Sequence, residues 1–174
     1  MSSNQPIDPR GAIERFQQQR SAGPVGLARY APESWAQAND CLANVLTKVK
    51  LAGGQAVFGW TFVLRQHAQY GNYLTATNHA VWHSPADGTL VDITPLHTAE
   101  HHHPFQSSGN TVFLVDMSAS PQQQGNALTL LPLLFVALTP EPNLEAYLAR
   151  LAMSEQQQWQ QQVDQAVRHS REGQ

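Results

Sequence analysis

Charged side chains are scarce in this sequence. Lys, Arg, Asp and Glu account for 13% of the 174 residues and give a net charge of -3, whereas about a quarter is usual in soluble domains. The ten Lys and Arg residues are scattered and form no basic stripe. Such a surface lacks the positive potential on which nucleic-acid binding depends. We therefore expect no nucleic-acid partner.

Cysteine is almost absent, since Cys41 is the only one in the sequence. A single thiol cannot form an internal disulfide, which excludes a disulfide-stapled secreted scaffold. It also excludes a zinc site built from several thiolates. A lone cysteine is more often a small buried apolar residue than a nucleophile. The role of Cys41 therefore depends on what the rest of the chain places beside it.

Long apolar runs are missing as well. The most apolar stretch, residues 127–138, is interrupted by Pro132 and is far shorter than the roughly 20 residues that cross a bilayer. Residues 1–11 lack the basic region and apolar stretch of a conventional signal peptide. We expect a cytoplasmic protein with no membrane partner, and export by a route that needs no such signal stays open.

Length and composition indicate one globular domain. Apolar residues make up 41% of the chain, which fits a packed core and argues against wholesale disorder. A chain of 174 residues suffices for one well-buried core but is short for two domains. We divide the domain into an N-terminal extension (1–33), an α+β core (34–138) and a C-terminal helical segment (141–170).

The two ends of the chain carry helix signals. Asp8 and Pro9 resemble the N-cap and first residue of a short, peripheral helix that reaches about residue 20. Residues 21–33 contain several Gly and Pro and are predicted to be a loop. Near the C-terminus, Pro142 starts one predicted helix, and Ser154 caps a second that extends to about residue 169.

A helix in the middle of the chain carries Cys41. Apolar residues at spacings of three and four predict this helix, which Gly53 ends. It begins either after Ser34 or after Asn39 or Asp40, and periodicity does not choose between these starts. The later start puts Cys41 in the first turn, where the helix dipole stabilises a thiolate.

Strand-like runs follow the central helix and are separated by turn residues. Together with that helix they predict the α+β class, with the cysteine-bearing helix packed on an antiparallel sheet. The predicted strands are residues 55–64, 73–83, 89–93, 111–117 and 133–138.

The turn between the second and third of these strands brings two polar residues together. A tight hairpin centred on Pro85 and Ala86 places His79 directly opposite Asp92, with facing β-carbons within about 5 Å. A nucleophilic cysteine needs a base and a group that orients the base. Cys41, His79 and Asp92 are therefore our candidate catalytic triad.

Each member of this triad also has an ordinary structural explanation. Cys41 lies beside the apolar stripe of its helix and is compatible with a plain core position. His79 is compatible with a hydrogen-bonded strand histidine, and Asp92 with a cap for the turn before Pro95. Taken singly the structural explanations are favoured, whereas the order and facing geometry of the three favour catalysis.

Residues 40–95 resemble the transglutaminase-like core of the papain-like cysteine fold. The resemblance rests on Cys41 at a helix start and on four short motifs in the same order: Gly53-Gly54, Gly59-Trp60, His79-Ala80 and Asp92-Ile93-Thr94. It implies a Cys-His-Asp site on a papain-like core. Leu42 stands where that family usually has tryptophan.

Several further residues are candidates for substrate or oxyanion contacts. An oxyanion would bind the backbone N–H of Cys41 and a side chain just upstream, for which Asn39 and Gln37 are the candidates. Asn39 is equally compatible with a helix cap, which the sequence favours, and Trp82 is a further candidate for a contact to substrate or oxyanion. An alternative is a metal site in the histidine-rich loop, formed by His97, His101 and His103.

The sequence therefore predicts a cysteine-dependent acyl-transfer enzyme. It would hydrolyse, deamidate or transfer a protein, peptide or small amide substrate through a thioester, with no cofactor. The alternatives are a non-catalytic binding or accessory module on the same fold, and a histidine-loop metal-binding protein. No oligomeric state is predicted.

Overall fold

A computed structural model describes residues 9–96, 106–107, 109–124 and 127–172. Within these ranges the chain forms an α+β domain with three α-helices, nine strands and one short 3-10 helix (Met117–Ala119). The elements are α1 (Pro9–Arg20), β1 (Val25–Tyr30), α2 (Cys41–Ala52), β2 (Gln55–His67), β3 (Gly71–His83), β4 (Leu90–Asp92), β5 (Gln106–Ser107), β6 (Asn110–Val115), β7 (Gln122–Gln124), β8 (Ala127–Thr129), β9 (Leu134–Ala137) and α3 (Pro142–Glu172).

Five of the strands close into a small barrel. In the order β1-β4-β3-β2-β6 each strand pairs with the next, and β6 pairs back with β1. The prediction of a purely antiparallel sheet is wrong at one place, since β1 and β4 run parallel. Closure gives the sheet an inner and an outer face, so residues alternate between them along each strand.

The inner face carries a small apolar cluster of Ala28, Val81 and Phe113. Residues paired across neighbouring strands share a face of the sheet. The pairs Gly59–His79 and Thr61–Thr77 therefore lie on the same face as this cluster. The barrel interior is therefore apolar at one end and polar near His79.

Both N-terminal helices pack on the outer face of the barrel. The start of α1 confirms the predicted helix, but its predicted peripheral position is wrong because Ala12, Ile13 and Phe16 are buried. The ring of Phe16 packs edge-on against Trp60 and Phe62, with centroids 5.7 and 5.6 Å away. α2 packs over the neighbouring part of β3 through Val45, which is also buried.

The predicted loop at residues 21–33 is wrong, because β1 occupies part of it and completes the barrel. The segment described above as an N-terminal extension thus supplies one helix and one barrel strand. The flanking Gly and Pro residues that favour a loop instead mark the ends of a six-residue strand. Its stabilising partners are β4 and β6, which lie far along the sequence.

One continuous helix, α3, replaces the two helices predicted near the C-terminus. Ser154 lies in its interior, so the predicted capping box is not formed. The residues around it are mainly Gln, Glu, Met and Leu, which favour helix continuation. Although α3 has 31 residues, neither it nor another helix in the described ranges is both long and apolar enough to cross a membrane.

Candidate active site

Cys41 is the first residue of α2. The early start after Ser34 is therefore wrong, and the later start is confirmed. Asn39, with a φ of 63°, turns the chain into the helix. Asp40 occupies the N-cap position, and its side chain forms no capping hydrogen bond within the described residues. The first N–H groups of a helix have no partner inside it, so they can stabilise negative charge at Cys41.

His79 and Asp92 are in direct contact, with 3.0 Å between His79 Nε2 and Asp92 Oδ1. The predicted register is nevertheless wrong. Trp82 pairs with Val91, a shift of two residues that puts Asp92 diagonally from His79 rather than opposite. A shift of two preserves the face on which each residue lies, and diagonal neighbours remain within reach of a long side chain.

The carboxylate of Asp92 is held by two further donors. Its Oδ1 accepts the backbone N–H of Thr94 at 3.2 Å, and its Oδ2 accepts the Thr111 hydroxyl at 3.0 Å. Burial alone raises the pKa of Asp92, but the charge of His79 and these hydrogen bonds outweigh it, and the pKa is lowered. Asp92 is therefore an ionised group with a fixed orientation.

Cys41 and His79 both line the same cavity, and each shifts the pKa of the other. Burial on its own raises the pKa of Cys41, yet the adjacent His79 more than compensates and lowers it. For His79 burial lowers the pKa, but Asp92 and Cys41 together raise it well above the ordinary value. Both directions favour a thiolate–imidazolium pair, the reactive form of a catalytic cysteine.

Cys41 lies beside a gap in the strand pairing along one edge of β3. On one edge β3 pairs with β9 through residues 73–76 and with β4 through residues 82–83. The chain between these two pairings contains His79 and Ala80. There Cys41 packs against Ala80, whose backbone helps to lower the pKa of the thiol. The start of α2 thus fills the interval between two strands.

Asn44, on the helix that carries Cys41, binds both the chain before that helix and the chain that follows Asp92. Its Oδ1 accepts the backbone N–H of Gln37 at 3.0 Å, and its Nδ2 donates to the Gln37 carbonyl at 2.8 Å and to the Thr94 hydroxyl at 3.2 Å. The side chain is buried and lies one turn after Cys41. Sequence reasoning missed Asn44, whose only signal is a polar residue next to the apolar stripe of its helix.

Cys41, His79 and Asp92 open onto a cavity of about 210 Å³ at the mouth of the barrel. Four threonines and two asparagines line it together with apolar side chains, so its walls are mixed in character. The lining residues are Asn39, Cys41, Thr61, Val63, Thr77, Asn78, His79, Asp92, Thr94, Pro95, Leu96, Thr111 and Leu130.

The remaining predicted site residues lie in different places. Asn39 lines the cavity, whereas Gln37 is exposed and outside the lining. Trp82 also lies outside it and donates its indole N–H to the Gly53 carbonyl at 2.8 Å. Neither Gln37 nor Trp82 is therefore placed to contact an oxyanion in this cavity.

The histidines of the predicted metal site, His97, His101 and His103, lie outside the described residues. Within the part of the chain that the structure describes, no group of three or more His, Cys, Asp or Glu side chains is arranged to hold a metal ion. The metal alternative thus stays a prediction about the loop alone.

The segment of residues 130–133 borders the site and is held by side chains from α3 and β3. Trp159 donates its indole N–H to the Leu130 carbonyl at 2.6 Å, and Glu155 Oε1 accepts the backbone N–H of Leu133 at 3.1 Å. The N–H of Leu131 donates to Asn78 Oδ1 at 2.8 Å. The C-terminal helix therefore positions one wall of the cavity.

No protein-family model matches this chain, and no curated protein or solved structure matches it significantly.

Proposed function

We propose that this protein is a cysteine-dependent acyl-transfer enzyme on a transglutaminase-like, papain-like core. The observation that carries the proposal is that Cys41, at the start of a helix, lines one cavity with His79 and Asp92, which are hydrogen-bonded to each other. The pKa of the thiol is lowered and that of the imidazole is raised. A structural cysteine does not need a lowered thiol pKa beside a histidine of raised pKa, whereas a nucleophilic cysteine depends on both.

In the proposed reaction the Cys41 thiolate attacks the carbonyl carbon of an amide or ester. The N–H groups at the start of α2 stabilise the resulting oxyanion, with the Asn39 side chain as a candidate second donor. The protonated His79 then donates its proton to the departing amine or alcohol, which leaves a thioester on Cys41. Asp92 keeps the imidazole oriented and stabilises its positive charge.

Water or an amine completes the cycle. His79, now neutral, takes a proton from the incoming nucleophile as it attacks the thioester carbonyl. The carbon–sulfur bond then breaks and regenerates the thiolate beside the imidazolium. A protein, a peptide or a small amide is compatible with this sequence of steps as the acyl donor.

The resemblance supports the proposal through the order of its motifs. Cys41 begins a helix that ends next to Gly53, and the following two strands carry Gly59 and His79. Asp92 closes the next strand. The elements thus follow one another as in the core that the sequence resembles.

The direct test is covalent labelling of Cys41 at neutral pH with a small thiol-reactive electrophile, followed by mass spectrometry. The wild type should react faster than a free thiol peptide, and Cys41→Ala should not be labelled. His79→Ala should react slowly, while His83→Ala, a change at a second histidine of β3, should leave the rate unchanged. A Cys41 no more reactive than the peptide thiol would remove the nucleophile from the proposal.

A second candidate, a non-catalytic binding module, is favoured by the burial of Cys41, which is 5% exposed. This candidate predicts that Cys41 stays unlabelled in the folded protein and reacts only after denaturation.

The histidine-loop alternative predicts stoichiometric metal in protein purified without an affinity tag. Full activity of metal-free protein would eliminate it.

A further inference from the structure

Four threonines line the cavity beside Cys41, and they divide into two pairs. The hydroxyls of Thr94 and Thr111 are already hydrogen-bonded to other side chains of the site. The hydroxyls of Thr61 and Thr77 have no hydrogen-bond partner among the residues that the structure describes. This second pair is therefore available to a molecule that enters the cavity.

The two free hydroxyls belong to residues that lie side by side. Thr61 of β2 and Thr77 of β3 are directly paired across the sheet, and the next pair on the same face contains His79. Facing β-carbons in such a pair are about 5 Å apart, and Thr77 lies about 7 Å from His79 along its strand. Thr61 is 7% exposed, so its hydroxyl lies in a buried part of the cavity.

The fold gains nothing from these hydroxyls. A buried hydroxyl without a partner has lost its hydrogen bonds to water, which is destabilising. Val63 follows Thr61 on the same face of β2 and lines the same cavity with an apolar side chain of similar shape. A valine at either threonine position would therefore fill the same space, and binding of a ligand accounts for the hydroxyls.

The cavity lining selects an uncharged group for this position. Apart from the triad, the lining contains no charged side chain, and Pro95, Leu96 and Leu130 contribute apolar walls. A hydroxyl both donates and accepts a hydrogen bond, so two of them match a group that does the same. An amide is such a group, because its N–H donates and its carbonyl oxygen accepts.

The order of the reaction steps assigns this position to the acyl half of the substrate. The departing group has to leave after the first step and give way to water or an amine, which a buried position would obstruct. The acyl group stays bonded to Cys41 until the second step. A buried position in the same cavity as the thiol can therefore hold the acyl group throughout the reaction.

We propose that Thr61 and Thr77 bind an uncharged amide of the acyl group, next to the carbonyl that Cys41 attacks. This inference rests on the proposed function and adds the class of acyl group to it, namely N-acylaminoacyl or peptidyl. The Cys41 sulfur forms a bond to the acyl carbon, and the bond from that carbon to the departing oxygen or nitrogen breaks. The proton that His79 holds goes to the departing atom.

The test compares two p-nitrophenyl esters with the full-length protein. One is the ester of N-acetylglycine, which has an amide next to the ester carbonyl, and the other is the ester of 4-methylpentanoic acid, its hydrocarbon isostere. The release of p-nitrophenol measures acylation, and mass spectrometry locates the acyl group on Cys41. The quantity compared between variants is the ratio of kcat/KM for the two esters, so differences in their intrinsic reactivity cancel.

Valine and serine variants measure the contribution of each hydroxyl. Thr61→Val and Thr77→Val should each lower the ratio by about 2- to 13-fold, which is the contribution of one hydrogen bond between neutral groups. Thr61→Ser and Thr77→Ser keep the hydroxyl and should keep the wild-type ratio. Thr75→Val is the control and should also keep it, because Thr75 is a buried threonine of β3 that lies outside the cavity lining.

A stability measurement separates ligand binding from a structural role. Thr61→Val removes a hydroxyl without a partner and should not lower the midpoint of thermal unfolding. Thr111→Val loses the hydrogen bond to Asp92 and should lower it. A lowered midpoint in Thr61→Val would assign that hydroxyl to the fold and overturn the proposal.

The remaining failures are distinguishable. Acylation of Cys41 by both esters, with the same ratio in the wild type and in both valine variants, would overturn the amide site and leave the proposed function intact. Absence of acylation at Cys41 with either ester would refute both proposals.

Discussion

Removing the charge of Asp92 should slow the reaction of Cys41 without dismantling the site. In Asp92→Asn the amide oxygen can still accept from His79 Nε2 and from the Thr94 N–H, and the amide NH₂ can donate to the Thr111 hydroxyl. The geometry is retained and only the negative charge is lost. Loss of that charge makes the imidazolium less stable, which lowers the pKa of His79 and weakens its stabilisation of the Cys41 thiolate. The direct repulsion between Asp92 and the thiolate is also relieved, but it is a smaller effect than the attraction of His79, so the net result is a higher pKa of Cys41.

The size of the effect follows from the hydrogen bond between His79 and Asp92. A hydrogen bond to a charged group contributes about 1.5–3 kcal/mol, and one between neutral groups about 0.5–1.5 kcal/mol. The difference of about 1–1.5 kcal/mol corresponds to about a 5- to 13-fold slower alkylation of Cys41 in Asp92→Asn. Asp92→Ala loses the whole interaction of about 1.5–3 kcal/mol and should react about 13- to 160-fold more slowly.

The assay is the second-order rate constant for alkylation by iodoacetamide at pH 6.5. Asp116→Asn is the control, because Asp116 is a buried carboxylate that accepts from Arg20 Nε at 2.8 Å and from Trp60 Nε1 at 2.9 Å, away from the cavity. It should lower stability and leave the rate constant unchanged. Equal rate constants for wild type, Asp92→Asn and Asp92→Ala would refute this account of the His79–Asp92 pair.

Three further changes test how the site is supported. Thr111→Val removes one donor to the Asp92 carboxylate and should raise the pKa of that carboxyl. In chemical denaturation it should lower the free energy of unfolding by about 1–3 kcal/mol, whereas Thr111→Ser keeps the hydroxyl and should behave as wild type. Gly59→Ala should prevent folding, as judged by circular dichroism, because a β-carbon there would lie 2.0 Å from the Leu114 carbonyl oxygen. Asn44→Ala leaves several buried polar groups without their partner and should cost at least about 1–3 kcal/mol by thermal unfolding, with a loss of Cys41 labelling in the protein that remains folded.

Local patterns are enough to predict the elements that carry the site. The helix after Asp40 and the strands that contain His79 and Asp92 follow from apolar periodicity and turn residues, and the structure has them at nearly the predicted bounds. The hairpin register was predicted wrongly by two residues, because the turn after His83 is longer than a tight hairpin. An even shift keeps every side chain on its face, so His79 and Asp92 still meet.

Pairings between distant parts of the chain escaped prediction. β1 is a short strand flanked by Gly and Pro, and only its pairing with β4 and β6 stabilises it. The same holds for Asn44 and Thr111, whose roles depend on partners up to 50 residues away. Ser154 is the opposite case. Its local capping signal predicts the start of a second helix, but the good helix formers on both sides continue one helix through it.

The pH dependence of Cys41 alkylation tests the central claim most directly. A thiolate–imidazolium pair keeps Cys41 reactive well below pH 8.5, where an ordinary thiol is mostly protonated, and His79→Ala should lose this low-pH reactivity. That result would agree with the lowered pKa of Cys41 and the raised pKa of His79. A wild-type rate that simply follows the titration of an ordinary thiol, unchanged in His79→Ala, would contradict the account.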